Sequence, residues 1–273
     1  MDLAINYSTQ AAMLLEQGKI ELDRFKTMDW PDMIAAARRF RPVAVHFGLE
    51  AGNGRVKTLD WDAVARMLDD TGTPHLNLHL APTIRDYPGI PVDQAAPEAR
   101  AEIFKHMLKD VRRAVKRLGA ERVIIENVPY RGPEDKVFRL AVEPETIQAI
   151  VAETGCGLLL DISHARIAAH SLGVAARDYM QRLPVSSLRE LHFTGLHDLN
   201  GRLQDHLSIL ERDWPYLDWV LERIRLGEWS QPWLLAFEYG GIGEKFAWRS
   251  DPAVIEMQLP VLWQKIHGRE SLL

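Results

Sequence analysis

Eight short apolar runs, each followed by a longer stretch of mixed polar and apolar residues, recur along the chain. The intervening stretches have the 3.6-residue spacing of amphipathic helices, most clearly at 60–70, 97–120, 144–154 and 213–227. Near-continuous Val, Ile and Leu runs are typical of parallel strands that are buried on both faces. Eight such units in 273 residues predict an α/β fold, a single-domain (β/α)8 TIM barrel over residues 1–273. The runs cover residues 3–8, 20–26 (the weakest), 42–48, 75–81, 122–128, 157–163, 188–195 and 233–240.

A doubly wound open sheet is the alternative, because it also alternates parallel strands with helices. Such sheets often carry a glycine-rich turn that binds a dinucleotide. The segments GNG at 52–54 and GGIG at 240–243 lack the spacing of that turn and the helix start that follows it. No Ser/Gly linker or low-complexity block divides the chain, which favours one domain over two.

The composition excludes several classes of function and location. With 47% hydrophobic and 26% charged residues the chain can bury a large core, and a net charge of −5 makes nucleic acid an unfavourable partner. The single cysteine, Cys156, allows no internal disulfide, fits a reducing compartment and is expected to be a packing residue. The N-terminus lacks a signal-peptide pattern, and no apolar run approaches the ~20 residues needed to cross a bilayer. We therefore expect a cytoplasmic protein with no membrane partner.

Polar residues end six successive predicted strands. In a barrel of this type, the active site is built at the C-terminal ends of the strands and in the loops that follow them. After the seventh strand, the loop at 197–206 adds His197, Asp198, Asp205 and His206. The strand-end residues are His46, His79, Glu126, Asp161 with His164 three residues later, His192 and Glu238.

This convergence predicts a metal site. Any one of these residues alone could be a hydrogen-bonded structural residue, but clustered carboxylates repel one another unless cations lie among them. A mixture of imidazoles and carboxylates suits zinc, iron or manganese. The number of groups favours more than one ion, with Glu126 or Glu238 bridging ions ~3.5–4 Å apart. The remaining histidines, His75, His106, His170 and His267, are assigned to structure or solvent.

The order of these residues resembles the xylose-isomerase-like TIM barrels, which include sugar isomerases, epimerases and endonuclease IV. Within them, the chain is most similar to the multinuclear non-haem iron-dependent oxidative enzymes. The resemblance is carried by PVAVHFGLEAG, NLHLA, VIIENVPY, ETGCGLLLDISHARIAAHSLG, LRELHFTGLHD and LLAFEYG, within residues 42–245. It implies two or three irons and the O2-dependent oxidation of a peptide or small-molecule substrate, often with a partner protein that presents the peptide. It also implies catalytic roles for Glu126 and Glu238 and a ligand set of His46, His79, Glu126, Asp161, His164, His192, His206 and Glu238.

Two positions depart from the oxidative family. His164 stands where that family has Asn, which restores the Asp-x-x-His spacing of the endonuclease IV branch, and the usual Asp-x-His is here the adjacent pair Asp205-His206. The identity and number of the metals, the roles of His197, Asp198 and Asp205, and the oligomeric state are therefore left open. The alternatives are a sugar isomerase or epimerase in which Glu126 or Glu238 moves a proton, a zinc phosphodiesterase, and a barrel that binds without catalysis.

Overall fold

The computed structural model of the protein describes residues 1–268. Its main sheet is parallel and runs in the order β3-β2-β1-β11-β8-β7-β6-β5-β4, and it curls into a barrel. Eight of these strands overlap the eight predicted runs one for one, which confirms the predicted α/β TIM barrel. The strands are β1 (Asp2–Asn6), β2 (Arg24–Met28), β3 (Val43–His46), β4 (Glu50–Ala51), β5 (Leu76–Leu80), β6 (Val123–Glu126), β7 (Gly157–Asp161), β8 (Leu188–Phe193), β9 (Gly195–Leu199), β10 (Arg202–Leu207) and β11 (Leu234–Phe237).

Side chains help to close the barrel between β3 and β5. The short strand β4 pairs with β5. The side chain of Asn77 in β5 forms two hydrogen bonds with the backbone of Phe47, the residue that follows β3. It accepts one from the Phe47 N–H at 2.7 Å and donates one to the Phe47 carbonyl at 3.1 Å. Thr73 Oγ1 accepts a hydrogen bond from Val45 N at 3.0 Å. These bonds replace part of a backbone ladder and bring the end of β3 beside the end of β5.

Helices cover the outside of the sheet, and the four predicted most clearly are confirmed at α3, α4, α5 and α8. Asp60 caps α3 by accepting a hydrogen bond from Ala63 N, and α4 and α5 each begin at a proline, whose fixed φ suits the first helical position. No helix within residues 1–268 is both long and apolar enough to span a bilayer. The helices are α1 (Thr9–Glu16), α2 (Pro31–Arg38), α3 (Trp61–Thr71), α4 (Pro97–Leu118), α5 (Pro144–Thr154), α6 (Ile162–Leu172), α7 (Ala176–Gln181), α8 (Trp214–Arg225) and α9 (Pro252–His267).

The segment predicted as a loop at 197–206 is instead an antiparallel hairpin formed by β9 and β10. Asn200 and Gly201 form its tip with φ of +57° and +81°, the conformation that a tight hairpin turn requires and that Asn-Gly adopts readily. His267, assigned to structure or solvent, ends α9 near the C-terminus.

The apolar core lies mainly between the sheet and the helices, where Cys156 is buried as expected of a packing residue. A second, small apolar cluster contains Ala4 of β1, Ala44 of β3 and Ala236 of β11. Since Leu3 and Ile5 belong to the outer core, the alternation of β1 places Ala4 inside the barrel. Small residues therefore leave room in this part of the barrel interior.

His75, at the opposite end of β5 from the predicted site, should make the protein sensitive to acid. Burial lowers its pKa from 6.5 to about 4, so the unfolded chain takes up a proton in this range before the folded chain does. The free energy of unfolding should therefore fall as pH drops from 6.5 towards 4, by up to about 3 kcal/mol from this residue. Urea unfolding at pH 7 and pH 4.5 should show a smaller loss for His75→Gln than for the native protein.

The exposed His170 provides the matched control for this experiment. His170→Gln should lose as much stability between the two pH values as the native protein does. An equal loss for His75→Gln and His170→Gln would contradict the assignment of this acid sensitivity to His75.

Candidate metal centre

Glu126 lies at the centre of the predicted site, between four imidazoles. Its Oε2 is 3.1 Å from His79 Nε2 and 3.7 Å from His46 Nε2. Its Oε1 is 3.6 Å from His164 Nδ1 and 3.9 Å from His192 Nδ1. The Glu126 side chain is 1% exposed. The two oxygens therefore face different pairs of nitrogens, an arrangement that suits a carboxylate bridging two cations.

The register of the sheet explains why residues far apart in sequence meet here. His79 pairs with Glu126 across β5 and β6, and Asp161 pairs with His192 across β7 and β8. Residues paired in a parallel ladder point to the same face of the sheet, which here is the barrel interior. The strand ends thus deliver a ring of donors to one mouth of the barrel.

Asp161 and His164 are held together by a helix cap. Asp161 Oδ1 accepts a hydrogen bond from His164 N at 2.7 Å and so caps α6. Asn127 fixes the Asp161 backbone through two bonds of 2.9 Å, and its own carbonyl lies 3.0 Å from His164 Nδ1. The Asp-x-x-His spacing thus turns both side chains toward the cluster, and Asn127 positions this pair.

The hairpin formed by β9 and β10 supplies two further residues of the cluster, Asp205 and His206. His206 has φ of +60°, its N–H donates to Thr194 Oγ1, and its Nδ1 lies 3.6 Å from Glu238 Oε2. The buried Asp205, whose role the sequence left open, places Oδ2 3.0 Å from His164 Nε2, and Arg131 donates to its other oxygen at 3.3 Å. Both residues of the pair therefore belong to the cluster.

The other two hairpin candidates lie elsewhere. His197 Nε2 is 2.8 Å from the carbonyl of Ser208, and Asp198 accepts a hydrogen bond from Gly201 N at the exposed turn. The histidines assigned to structure also lie outside the cluster: His106, for example, is paired with Tyr87 and His267 with Asp23.

Two charged residues of the site were missed by sequence reasoning. Lys26 of β2 is buried and forms an ion pair with Glu238 Oε1. Glu190 of β8 lies with Oε1 2.9 Å from His192 Nε2 and accepts a hydrogen bond from Trp233 Nε1. Lys26 ends the weakest predicted run, whose polar residues were given no role. Glu190 could have been found from the sequence, because it lies two residues before His192 in β8 and therefore on the same face of the strand.

Carboxylates control the charge of the His164 side of the cluster. Burial lowers the pKa of His164, but Asp161 and Asp205 outweigh it and raise the pKa to about 10. Burial raises the pKa of Asp161 to about 6, although His164 opposes this. Burial also favours the neutral form of Asp205, but the hydrogen bond from His164 outweighs it and lowers its pKa. A metal ion would have to displace the His164 proton to use its nitrogens.

Among the charged groups, Lys26 has the largest effect on the pKa values of Glu238, His192 and His46. Burial would raise the pKa of Glu238, but Lys26 and His192 together hold it well below its usual range. Burial and Lys26 lower the pKa of His192, yet Glu238 and Glu190 outweigh them and raise it to about 9. For His46, burial followed by Lys26 outweighs the opposing effect of Glu238 and holds the pKa well below the usual value.

Buried polar atoms of the cluster that lack a well-aligned hydrogen bond fit a metal site. Within residues 1–268 these include Glu126 Oε2 and His192 Nδ1, whose neighbours His79 Nε2 and Glu238 Oε1 lie 3.1 and 3.2 Å away. His46 Nδ1 is also buried without a hydrogen bond, an arrangement that is costly unless another group binds the atom. The buried clusters therefore suggest a metal site, while the eight individual ligand roles stay predictions. Among residues 1–268, four triads have donor atoms within 4.8 Å of one another: His46–Glu126–His192, His164–His206–Glu238, Glu126–Asp161–His164 and Asp161–His192–Glu238.

A cavity of about 280 Å³ opens above the cluster. Its lining includes the charged residues Glu126, Glu238 and Lys26 and the apolar residues Met28, Trp30, Met33, Ile242 and Phe246. The cavity thus combines charged and apolar lining residues.

Residues 26–226, well over half of the chain, match the family described as RiPP precursor modification enzyme MbnB/TglH/ChrH. The chain belongs to this family. RiPPs are ribosomally synthesised and post-translationally modified peptides, so membership makes a precursor peptide the implied substrate and confirms the resemblance drawn from the sequence.

Curated relatives extend the likeness without naming an activity. A UPF0276 protein of Acaryochloris marina is 25% identical over 213 residues, which is 77% of this chain and 71% of that protein. A UPF0276 protein of Caulobacter vibrioides is 28% identical over 173 residues, 59% of this chain and 57% of that one.

Solved structures show the fold alone. A D-tagatose 3-epimerase-like protein is 15% identical with a TM-score of 0.61, and covers 97% of this chain and 98% of its own. A family 2 AP endonuclease from Brucella melitensis is 16% identical with a TM-score of 0.56, and covers 91% and 96%. Both belong to the types of barrel that the strand-end pattern resembles.

Proposed function

We propose that the protein is an iron-dependent oxidative enzyme that modifies a residue of a precursor peptide, with dioxygen as the oxidant. Family membership supports the peptide substrate, and the mixed imidazole and carboxylate donors support iron. The single observation that carries the proposal is Glu126, whose two buried oxygens face two pairs of imidazoles.

The donors divide into two groups around the bridging carboxylate. His46 and His79 would hold metal on the Oε2 side of Glu126, and His164 and His192 on the Oε1 side. Asp161 lies beside His164, and Glu238 lies beside His192 and His206. Bound iron would supply a site for redox chemistry with dioxygen. Asp205 and Glu190 orient the rings of His164 and His192 by accepting hydrogen bonds from their other nitrogens.

The cavity supports a peptide side chain as the reacting group. A volume of about 280 Å³ accepts one side chain rather than a folded segment, and the apolar lining residues suit an apolar part of that side chain. Trp30, which lines the cavity, and Trp248, which lies against the lining residue Arg249, are about half exposed. A partner protein that presents the peptide would contact this rim, as the family resemblance implies.

The test combines metal content with peptide mass. We expect the protein, purified without chelators, to contain two or three irons per chain and to show charge-transfer absorption. Anaerobic co-production with a candidate precursor peptide should leave the peptide unchanged, and exposure to air should change its mass. His106→Gln, a substitution outside the cluster, should behave like the native protein.

The alternatives give different results in the same assays. Zinc together with hydrolysis of a phosphodiester would favour the phosphodiesterase, and a manganese-dependent ketose epimerisation would favour the isomerase class. Either result, with an unmodified peptide in air, would contradict the oxidative proposal.

A further inference from the structure

The Lys26 ammonium group lies inside the candidate metal centre. Its side chain is 5% exposed and forms an ion pair with Glu238 Oε1, which also lies 3.2 Å from His192 Nδ1. A buried ammonium group is costly unless a carboxylate compensates it, so this pair is a fixed part of the interior. Glu238 therefore already has one cation bound to the oxygen that faces His192.

The barrel interior is shaped to admit this long side chain. Lys26 lies beside Ala44 in the register of β2 and β3, and the alternation that places Phe25 in the outer core directs Lys26 inward. Ala4 and Ala236, on the two strands that lead from β2 to Glu238, are also small and buried inside the barrel. The lysine, which lines the cavity, can thus cross the interior and reach Glu238 from two strands away.

The position of this ammonium group conflicts with one of the four donor triads. An ion held by Asp161, His192 and Glu238 would need the Glu238 oxygen that faces His192, which is the oxygen that Lys26 occupies. Two cations within a few ångströms of each other in a buried site repel strongly. The triads that contain Glu126 do not use this oxygen, and Glu238 Oε2 still faces His206.

We propose that the Lys26 ammonium group permanently takes the place of one metal ion at the Asp161–His192–Glu238 position, so that the chain binds one ion fewer than its donors allow. This inference rests on the proposed metal centre and deepens it, because it assigns one cation position to the protein itself. Lys26 is then a residue that determines how many ions the centre holds.

The test counts ions rather than turnover. Native protein, Lys26→Met and Lys26→Gln are stripped with chelator, incubated anaerobically with excess Fe²⁺ or with Zn²⁺ alone, desalted, and measured by plasma mass spectrometry. We expect both neutral variants to bind one more ion per chain than the native protein with either metal. Lys26→Arg, which keeps the positive charge, should bind the native number.

Two results would overturn the inference. Equal ion counts in native and neutral variants would mean that Lys26 moves away when metal binds, even if the variants bind metal more tightly. A lower count in Lys26→Gln, with a native circular dichroism spectrum, would mean that the lysine supports the centre. An absence of metal in every protein would instead contradict the proposed metal function, and this is distinguishable because the native count would then be zero.

Discussion

Glu126→Gln should reduce bound metal to a small fraction and lower the rate of peptide modification by about 100-fold or more. The substitution keeps the size of the side chain but removes the one charge that lies between four imidazoles. Losing even a residue that only orients a ligand typically costs 10- to 100-fold in metal affinity or activity, and a bridging ligand should cost at least as much. Metal content and single-turnover peptide mass spectrometry measure the two losses.

Asp110→Asn provides the matched control. Asp110 is also a buried carboxylate, but it accepts hydrogen bonds from Gly52 N and Gly54 N and lies outside the four donor triads. Its substitution should lower thermal stability while leaving the ion count per folded chain unchanged. If Glu126→Gln retains the native metal content, then Glu126 does not bind metal, and the main support for the proposed function is lost.

The strand ends could be predicted from the sequence because one physical rule governs them. Parallel strands of a barrel end at the same rim, so a polar residue after each apolar run must lie near its counterparts. His46, His79, Glu126, Asp161 and His192 follow this rule, and the structure places them together. Their proximity could be predicted without knowing the conformation of any loop.

The pairing of Lys26, which was missed, depends on information that no local pattern carries. Lys26 reaches Glu238 across 212 positions of sequence, and the partner of a buried charge is set by the register and by the small alanines around it. Asp205 depends on the hairpin turn at Asn200-Gly201, a signal that was present in the sequence but was read as part of a loop. Once the hairpin is recognised, the adjacent Asp205-His206 pair lies over the barrel mouth.

A buried ion pair anchors that hairpin to the barrel. Asp213 is fully buried, its Oδ1 lies 2.8 Å from Arg166 of α6, and its Oδ2 accepts from Leu196 N at 3.2 Å and Leu210 N at 2.8 Å. Leu196 lies near the start of β9, and Leu210 follows the end of β10. One carboxylate therefore ties both ends of the segment that carries His206 to α6.

Asp213→Asn should lower the free energy of unfolding by about 3–5 kcal/mol, because it leaves the buried Arg166 without a counter-charge. Asp218→Asn in α8, the helix that begins directly after Asp213, removes only a half-exposed pair with Lys265 and should cost less than ~1 kcal/mol. Guanidinium unfolding of the two variants measures the difference, and equal losses would show that the Arg166 pair does not anchor the fold. Because the hairpin ends would also be released, the variant that still folds at low temperature should bind metal more weakly through His206, whereas Asp218→Asn should bind it normally.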